Sequence, residues 1–482
     1  MTRMTFSALD LGIIIVYFAA VMVAGLAWLR RGKTADDYFL AGRNLTLPAF
    51  VATLVSTWYG GILGVGEFTY LSGISVWLVL AVPYYIFAAV FAFVLAPRIR
   101  QAELYTIPDK VAEAYGKGAG VTAAVYSYCL TTPAPYVLML GTLLQLIFGW
   151  PLWPALLVGV ALSTVYVYAG GFRADVRVNI VQFFLMFLGF ALILPYCLSH
   201  LGGFDFIKQG VPETHLVWHG GNTPQYVVAW FFIALWTLVD PGFHQRCYAA
   251  KSPQTASRGI LVSILCWAAF DFMTCTVGLY ARAGLPDIEP IMAYPLLAEK
   301  LLPAGVKGLF YVGMLATVMS TLVSFTFLSG TTFARDFIWR IVGGDPDYRI
   351  GLRTALGLVL TTVISLALAV GVASVIKLWY VIGTVFIPGL LLPLLSAYWP
   401  ALRVSRKAIV PVMVGGFATS LLWLLWGVTH QAEGYPVYPL GIEPMYPGLL
   451  VSLLGFAAGR AVRGLKDLAP PEAAPAQRQA GR

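Results

Sequence analysis

Stretches of about 20 apolar residues with few charges recur along the whole chain, and a helix rising 1.5 Å per residue needs about that length to cross roughly 30 Å of hydrocarbon. Each stretch is therefore a membrane-spanning candidate. Only 11% of the 482 residues are charged and 59% are hydrophobic, whereas a water-soluble fold carries about a quarter of its residues as charges. Strands of an outer-membrane barrel would read as alternating segments of about 10 residues, a pattern missing from this sequence. What remains is an all-α polytopic membrane protein.

Apolar runs between polar breaks predict thirteen transmembrane helices, near residues 9–29, 47–72, 74–96, 119–148, 152–170, 178–200, 224–246, 258–281, 307–333, 353–371, 375–398, 408–428 and 445–462. The first is too long for a signal-peptide core and is followed by Arg30, Arg31 and Lys33, so it is expected to be retained. With the N-terminus outside, Arg3, Lys208, Arg282, Lys300, Lys307 and Lys377 fall on the outer side. The other 25 of the 31 basic residues, Arg246 among them, then fall in cytoplasmic turns, as the positive-inside rule requires. This accounts for the net charge of +9 without nucleic acid as a partner; the partners expected are the lipid bilayer and a small organic solute. Residues 1–466 read as a single transmembrane domain, and 467–482, rich in Pro, Ala and Gln, as a disordered cytoplasmic tail.

Two spans are interrupted. The second carries Gly60, Gly61, Gly64 and Gly66, and the seventh carries Asp240-Pro241-Gly242. Glycine and proline loosen the helical hydrogen-bond ladder, and freed backbone at membrane depth is tolerated only around a cavity or inside protein. Packing glycines and a proline kink explain either span alone. Their separation by five helices is what two inverted repeats, each opening on a broken helix, would give; the repeats would cover about 47–200 and 224–398.

Four motifs then carry a resemblance. Asp37-Tyr-Phe-Leu-Ala-Gly-Arg43 precedes the second span, Tyr168-Ala-Gly-Gly-Phe-Arg-Ala174 joins the fifth to the sixth, Gln245-Arg246-Cys-Tyr-Ala-Ala-Lys251 follows the seventh, and Met319-Ser320-Thr321-Leu322 lies in a hydroxyl-rich ninth span closed by Ala334-Arg335-Asp336. In this order and at these places they resemble the sodium:solute symporter family, over about residues 8–460. The resemblance implies a leucine-transporter-type fold, an extra N-terminal helix plus five-and-five inverted repeats, and sodium-coupled transport by alternating access.

Ser320 and Thr321, with the carbonyl of Thr317 one turn earlier, share one helix face and offer the oxygens a hard cation prefers. Back-bonding of these hydroxyls to their own helix is the other reading. The resemblance completes such a Na⁺ site with main-chain carbonyls at Val55 and Trp58. In sugar-carrying members two glutamines hold hydroxyls where this chain has Ile62 and Tyr380, which disfavours a sugar. Asp240 and Asp271 are intramembrane carboxylates, and such groups mark pathways or partners. Three roles fit them: binding an amine-bearing or cationic solute, exchanging a proton, or capping and pairing structurally. Trp58, Tyr59, Trp236, Trp379 and Tyr380 are candidate aromatic walls. Members carrying a second ion use an acidic residue where this chain has Asn179 and a serine where it has Val323, which leaves one sodium site expected.

Histidines and the five cysteines show no metal-ligand spacing, and no nucleotide-binding motif is present, so the expectation is a transporter, not an enzyme, driven by an ion gradient. Proton coupling through Asp240 and a transporter-fold solute sensor are the alternatives. The location expected is a cell (inner) membrane. A reporter fused after Arg482 is expected on the cytoplasmic side and one at Met1 outside; both on one side would overturn the odd number of spans.

Overall fold

The computed structural model describes residues 4–27, 34–343, 350–371, 374–432 and 435–463. The expected tail 467–482, and basic residues such as Arg30, Arg31, Lys33 and Arg349, lie outside the described residues. Ten helices among the described residues are long and apolar enough to cross a membrane, and eleven when the pair Leu47–Trp58 and Ile62–Ser75, bent by 55°, is counted as one broken span. Thirteen is reached only if the shorter helices Leu152–Val167 and Met445–Ala461 also cross. Helix is nearly the whole of the secondary structure. Its exception is a two-residue antiparallel ribbon pairing Gln431 with Pro436 and Ala432 with Tyr435 in an outer loop.

The ninth span, Val306–Trp339, is the axis of the bundle and is wholly enclosed by protein, whereas the helices Ala8–Leu26 and Gly170–Leu201 bury only about a third of theirs. Hydrophobic side chains such as Leu265, Phe272, Val359 and Leu422 point outward, as lipid-facing helices require. Small residues let the axis be approached closely: at the crossing of the sixth and ninth spans a Cβ added to Gly313 would sit 2.9 Å from the Cα of Gly189, the packing that substitutes in membranes for hydrophobic attraction.

Both interruptions are real breaks. The second span stops at Trp58 and resumes at Ile62. In the seventh, Asp240 is extended, with φ −71° and ψ 119°, and its carboxylate accepts the Phe243 N–H at 2.8 Å. Asp-Pro-Gly is thus an N-cap with proline at the first helical position of Pro241–Ala249, a helix start written in three residues. A third break was not expected: the fourth span divides into Lys117–Leu130 and Ala134–Phe148 around Pro133. The turn between the fifth and sixth spans falls at Gly171, whose φ of 57° suits glycine and where a Cβ would meet the Tyr38 carbonyl at 2.6 Å.

The motifs meet one another at one end of the bundle. Arg173 pairs with Asp37 at 2.6 Å, Arg43 with Asp36 at 3.2 Å, and Gln245 donates to the Phe39 carbonyl. Leu45 exchanges main-chain hydrogen bonds with Ala249 and Lys251. Nearby, Asp109 is held by Arg335 at 3.2 Å and Arg340 at 2.7 Å, and Asp336 shares Arg340 at 2.9 Å. Arg246 departs from expectation: no part of its side chain reaches the surface, so it is a core residue rather than one of the charges of a cytoplasmic turn.

Burial raises the Asp109 carboxyl, but the two guanidiniums outweigh it and hold the group below its ordinary 3.8. A lowered folded-state value means the stabilisation is complete above 3.8 and is lost as pH falls below it. Asp109→Asn takes the carboxylate from Arg335 and leaves Arg340 with Asp336 alone, and is expected to cost about 1–3 kcal/mol, read as a lower thermal midpoint at neutral pH. An unchanged midpoint would show the cluster to be energetically neutral.

Candidate functional site

The break in the second span exposes main-chain carbonyls at the end of Leu47–Trp58, and the ninth span lies against them. Ser320 Oγ donates to the Ser56 carbonyl at 2.9 Å, and Thr321 Oγ1 reaches the carbonyls of Ser56 at 3.2 Å and Thr57 at 2.6 Å. Ser320 also donates to the Thr317 carbonyl at 2.9 Å. These oxygens are buried and come from two different helices. Val55 and Trp58 flank the two carbonyls that the hydroxyls meet; the Val55 carbonyl accepts the Tyr59 N–H at 3.3 Å. An oxygen-only cluster with rotatable hydroxyls suits a hard monovalent cation, because each hydroxyl can turn its hydrogen away and present a lone pair.

On the other side of the break lies a cavity with room of about 100 Å³, walled mostly by aromatic rings. Trp58, Tyr59 and Trp236 line it, with Tyr84, Tyr85, Tyr136, Trp267 and Trp379, and its one ionisable carboxylate is Asp271. Asp271 accepts hydrogen bonds from Tyr59 at 2.6 Å and from Tyr85. Ile62, Asp240 and Tyr380 are not part of this wall. Ile62 is buried; Asp240 caps its half-helix; Tyr380 donates to Glu443 and stacks on Tyr226, with ring centroids 6.3 Å apart.

Below the hydroxyl cluster lies a charged one. The Arg246 guanidinium donates to Thr57 Oγ1 at 2.7 Å and Ser324 Oγ at 3.2 Å and stands 3.7 Å from Asp175. Ser324 donates to Asp175 at 2.8 Å, and Asn179 donates to Ser324 at 3.2 Å and to Thr57 at 3.4 Å. Residues of the second, sixth, seventh and ninth spans thus share one network. Among the described residues, no group of three or more His, Cys, Asp or Glu side chains is placed to hold a metal ion.

A model of the Sodium:solute symporter family matches residues 38–415. The chain is similar to the sodium/glucose cotransporter of Vibrio parahaemolyticus, 28% identical over 395 residues that make up 71% of each protein. It is also similar to the osmoregulated proline transporter OpuE of Bacillus subtilis, 25% identical over 475 residues covering 91% of this chain and 93% of that one. Among solved structures, a substrate-bound, outward-open Na⁺-coupled sialic acid symporter superposes with a TM-score of 0.79 at 15% identity, over 95% of this chain and 97% of the other. That likeness identifies the fold.

Sequence reasoning missed Tyr85, Tyr84 and Trp267 as walls and Asp175 and Arg246 as a buried pair. Arg246 carried a signal that pointed the wrong way, since a basic residue after an apolar run reads as a turn. The two glycines of the break have separate neighbours: a Cβ on Gly60 would run into the Thr321 side chain, and one on Gly61 into the Trp379 ring. Gly60→Ala is therefore expected to destabilise the purified protein by about 1–3 kcal/mol through overpacking. Gly118→Ala, whose Cβ would meet only Val410 at 4.0 Å, should leave the thermal midpoint unchanged or raise it. Equal midpoints for the two variants would show that the break has slack.

Proposed function

The chain belongs to the sodium:solute symporter family, and we propose that its coupling ion sits between the broken second span and the ninth, at Thr317, Ser320 and Thr321 and the carbonyls of the Val55–Trp58 turn. The protein is a multi-pass membrane transporter with the leucine-transporter-type fold, a secondary carrier rather than an enzyme, and it couples a small organic solute to Na⁺. The observation that carries the ion assignment is the convergence of two hydroxyls of one helix on two carbonyls of another, all buried, within 3.2 Å.

Such a site couples the ion to conformation. A cation shared by two helices draws them together, and its departure leaves only hydroxyl–carbonyl bonds, which are weaker than charge-assisted contacts. The repeats at about 47–200 and 224–398 then rock about the break, opening the aromatic cavity to one side at a time. The termini are placed outside (N) and in the cytoplasm (C), and the membrane is the cell (inner) membrane. Proton exchange at Asp240 is the weaker reading, because that carboxylate is engaged by the Phe243 N–H and does not line the cavity.

One sodium per cycle follows from the charged network. Asn179 supplies no charge, and the anion one turn earlier, Asp175, has Arg246 within 3.7 Å. A second dehydrated cation would meet the guanidinium, whose desolvated like charge repels it. Binding of radioactive sodium to the purified protein is expected to saturate with a Hill coefficient of about one, each tenfold change in affinity corresponding to about 1.4 kcal/mol. Ser320→Ala combined with Thr321→Ala should abolish it. A coefficient approaching two, or undiminished binding in the double variant, would overturn the assignment.

A further inference from the structure

Three carboxylates are buried along the broken helices and the spans beside them, and they are compensated differently. Asp175 has the Arg246 guanidinium at 3.7 Å. Asp240 accepts a main-chain N–H at the positive end of the half-helix Pro241–Ala249, where a negative charge is favoured. Asp271 has neither: its hydrogen bonds among the described residues come from the phenols of Tyr59 and Tyr85, which are neutral. It is 9% exposed and faces the cavity.

We propose that Asp271 is the counter-ion of the transported solute, and that this solute is a compact organic cation of the alkylammonium type. The inference rests on the reading that the aromatic cavity is where the solute rides. A carboxylate held in a low-dielectric site by neutral donors has no opposite charge to stabilise its ionised form, and a cation arriving beside it supplies one. The walls favour the same ligand. Trp58 has Tyr84 at 5.7 Å and Trp267 at 6.5 Å between ring centroids, so several aromatic rings wall the cavity with one carboxylate among them. Ring faces attract weakly hydrated ammonium groups, and Asp271 is the one charged group among them. Sodium suits the position less well than the hydroxyl cluster, since the oxygens near Asp271 come from side chains alone, two phenols and the Thr274 hydroxyl beside the carboxylate, whereas Ser320 and Thr321 meet main-chain carbonyls as well.

Tyr59 links the two sites. It follows directly on the helix whose carbonyls meet Ser320 and Thr321, and its hydroxyl bridges Asp271 and Thr274, at 2.6 and 2.7 Å. Movement of the break as sodium binds would therefore move a donor on the anion that faces the solute.

The test uses the full chain in lipid nanodiscs and its intrinsic fluorescence, since Trp58, Trp236, Trp267 and Trp379 line the cavity. Choline is titrated against its uncharged isostere, with carbon in place of nitrogen, and ethanolamine against propanol, each with sodium and with potassium. At least one cation should bind more tightly than its isostere by on the order of tenfold or more, the difference expected between charged and neutral partners. Asp271→Asn should erase that preference, and Tyr85→Phe, which keeps the carboxylate, should retain it. Isosteres matching both cations, or a preference that survives Asp271→Asn, would overturn the proposal, and the isostere comparison in the unmodified protein decides even if the Asn variant fails to fold. Sodium alone producing a signal that Asp271→Asn abolishes would also overturn it. Sodium-stimulated uptake of glucose or proline without cation preference would sink this inference and leave the coupling reading intact; cation-selective binding indifferent to sodium would do the reverse.

Discussion

The contact on which the rest depends is the meeting of the Tyr59–Gly61 break with the ninth and eleventh spans. Two adjacent glycines face different partners there, Gly60 the Thr321 side chain and Gly61 the Trp379 ring. No side chain is needed at either position, and none fits. Because consecutive residues in an opened backbone point different ways, one break lets the ninth span approach on one side and the eleventh on the other. Coupling between the sites is then a matter of geometry, since neither helix can withdraw without disturbing the same three residues.

The charged network beneath the break performs a second task. Arg246 is the donor that ties Thr57 of the first broken helix to Ser324 of the axis, and it is itself carried by the second broken helix. A guanidinium with no water contact is costly unless its donors are met, so the position of each helix is referred to the others through it. Asp175 supplies the charge, and Ser324 and Asn179 fix its orientation. One end of the bundle is tied again by Arg173–Asp37 and by the Asp109 cluster. The half-helix Ile62–Ser72 beyond the first break is almost wholly buried and is tied by the Tyr70 hydroxyl to the Leu285 carbonyl.

Fold and membrane class were legible because they follow from length and composition: a run of twenty apolar residues has few alternatives. Both breaks were legible too, Asp-Pro-Gly because it is at once a helix stop and a helix start. The split of the fourth span was missed because its Thr-Thr-Pro-Ala-Pro stretch carries no charge and hides inside an apolar run. At the site, Ser320 and Thr321 were found from hydroxyl spacing, but the carbonyls they meet, Ser56 and Thr57, belong to main chain whose direction no side chain reveals. The aromatic wall was found only in part. Tyr84, Tyr85 and Trp267 sit in spans whose sequence gives no sign of which helix face turns toward the cavity.

Three of the four family motifs serve as scaffold, the hydroxyl-bearing one of the ninth span being the exception. Asp37, Gly171, Arg173 and Gln245 meet one another at one end of the bundle, where a positive φ, a close backbone approach, an ion pair or a main-chain hydrogen bond constrains each of them. Residues under such geometric demands have few substitutes, whereas a cavity wall must differ wherever the solute differs. A motif therefore reports how the chain moves more than what it moves. The solute has to be read from the unmotifed residues, and of these the carboxylate at Asp271 is informative because it lacks a partner of opposite charge among the described residues. An anion so placed is a cost to the folded protein on its own, and the structure that tolerates it is one in which a ligand arrives to offset it.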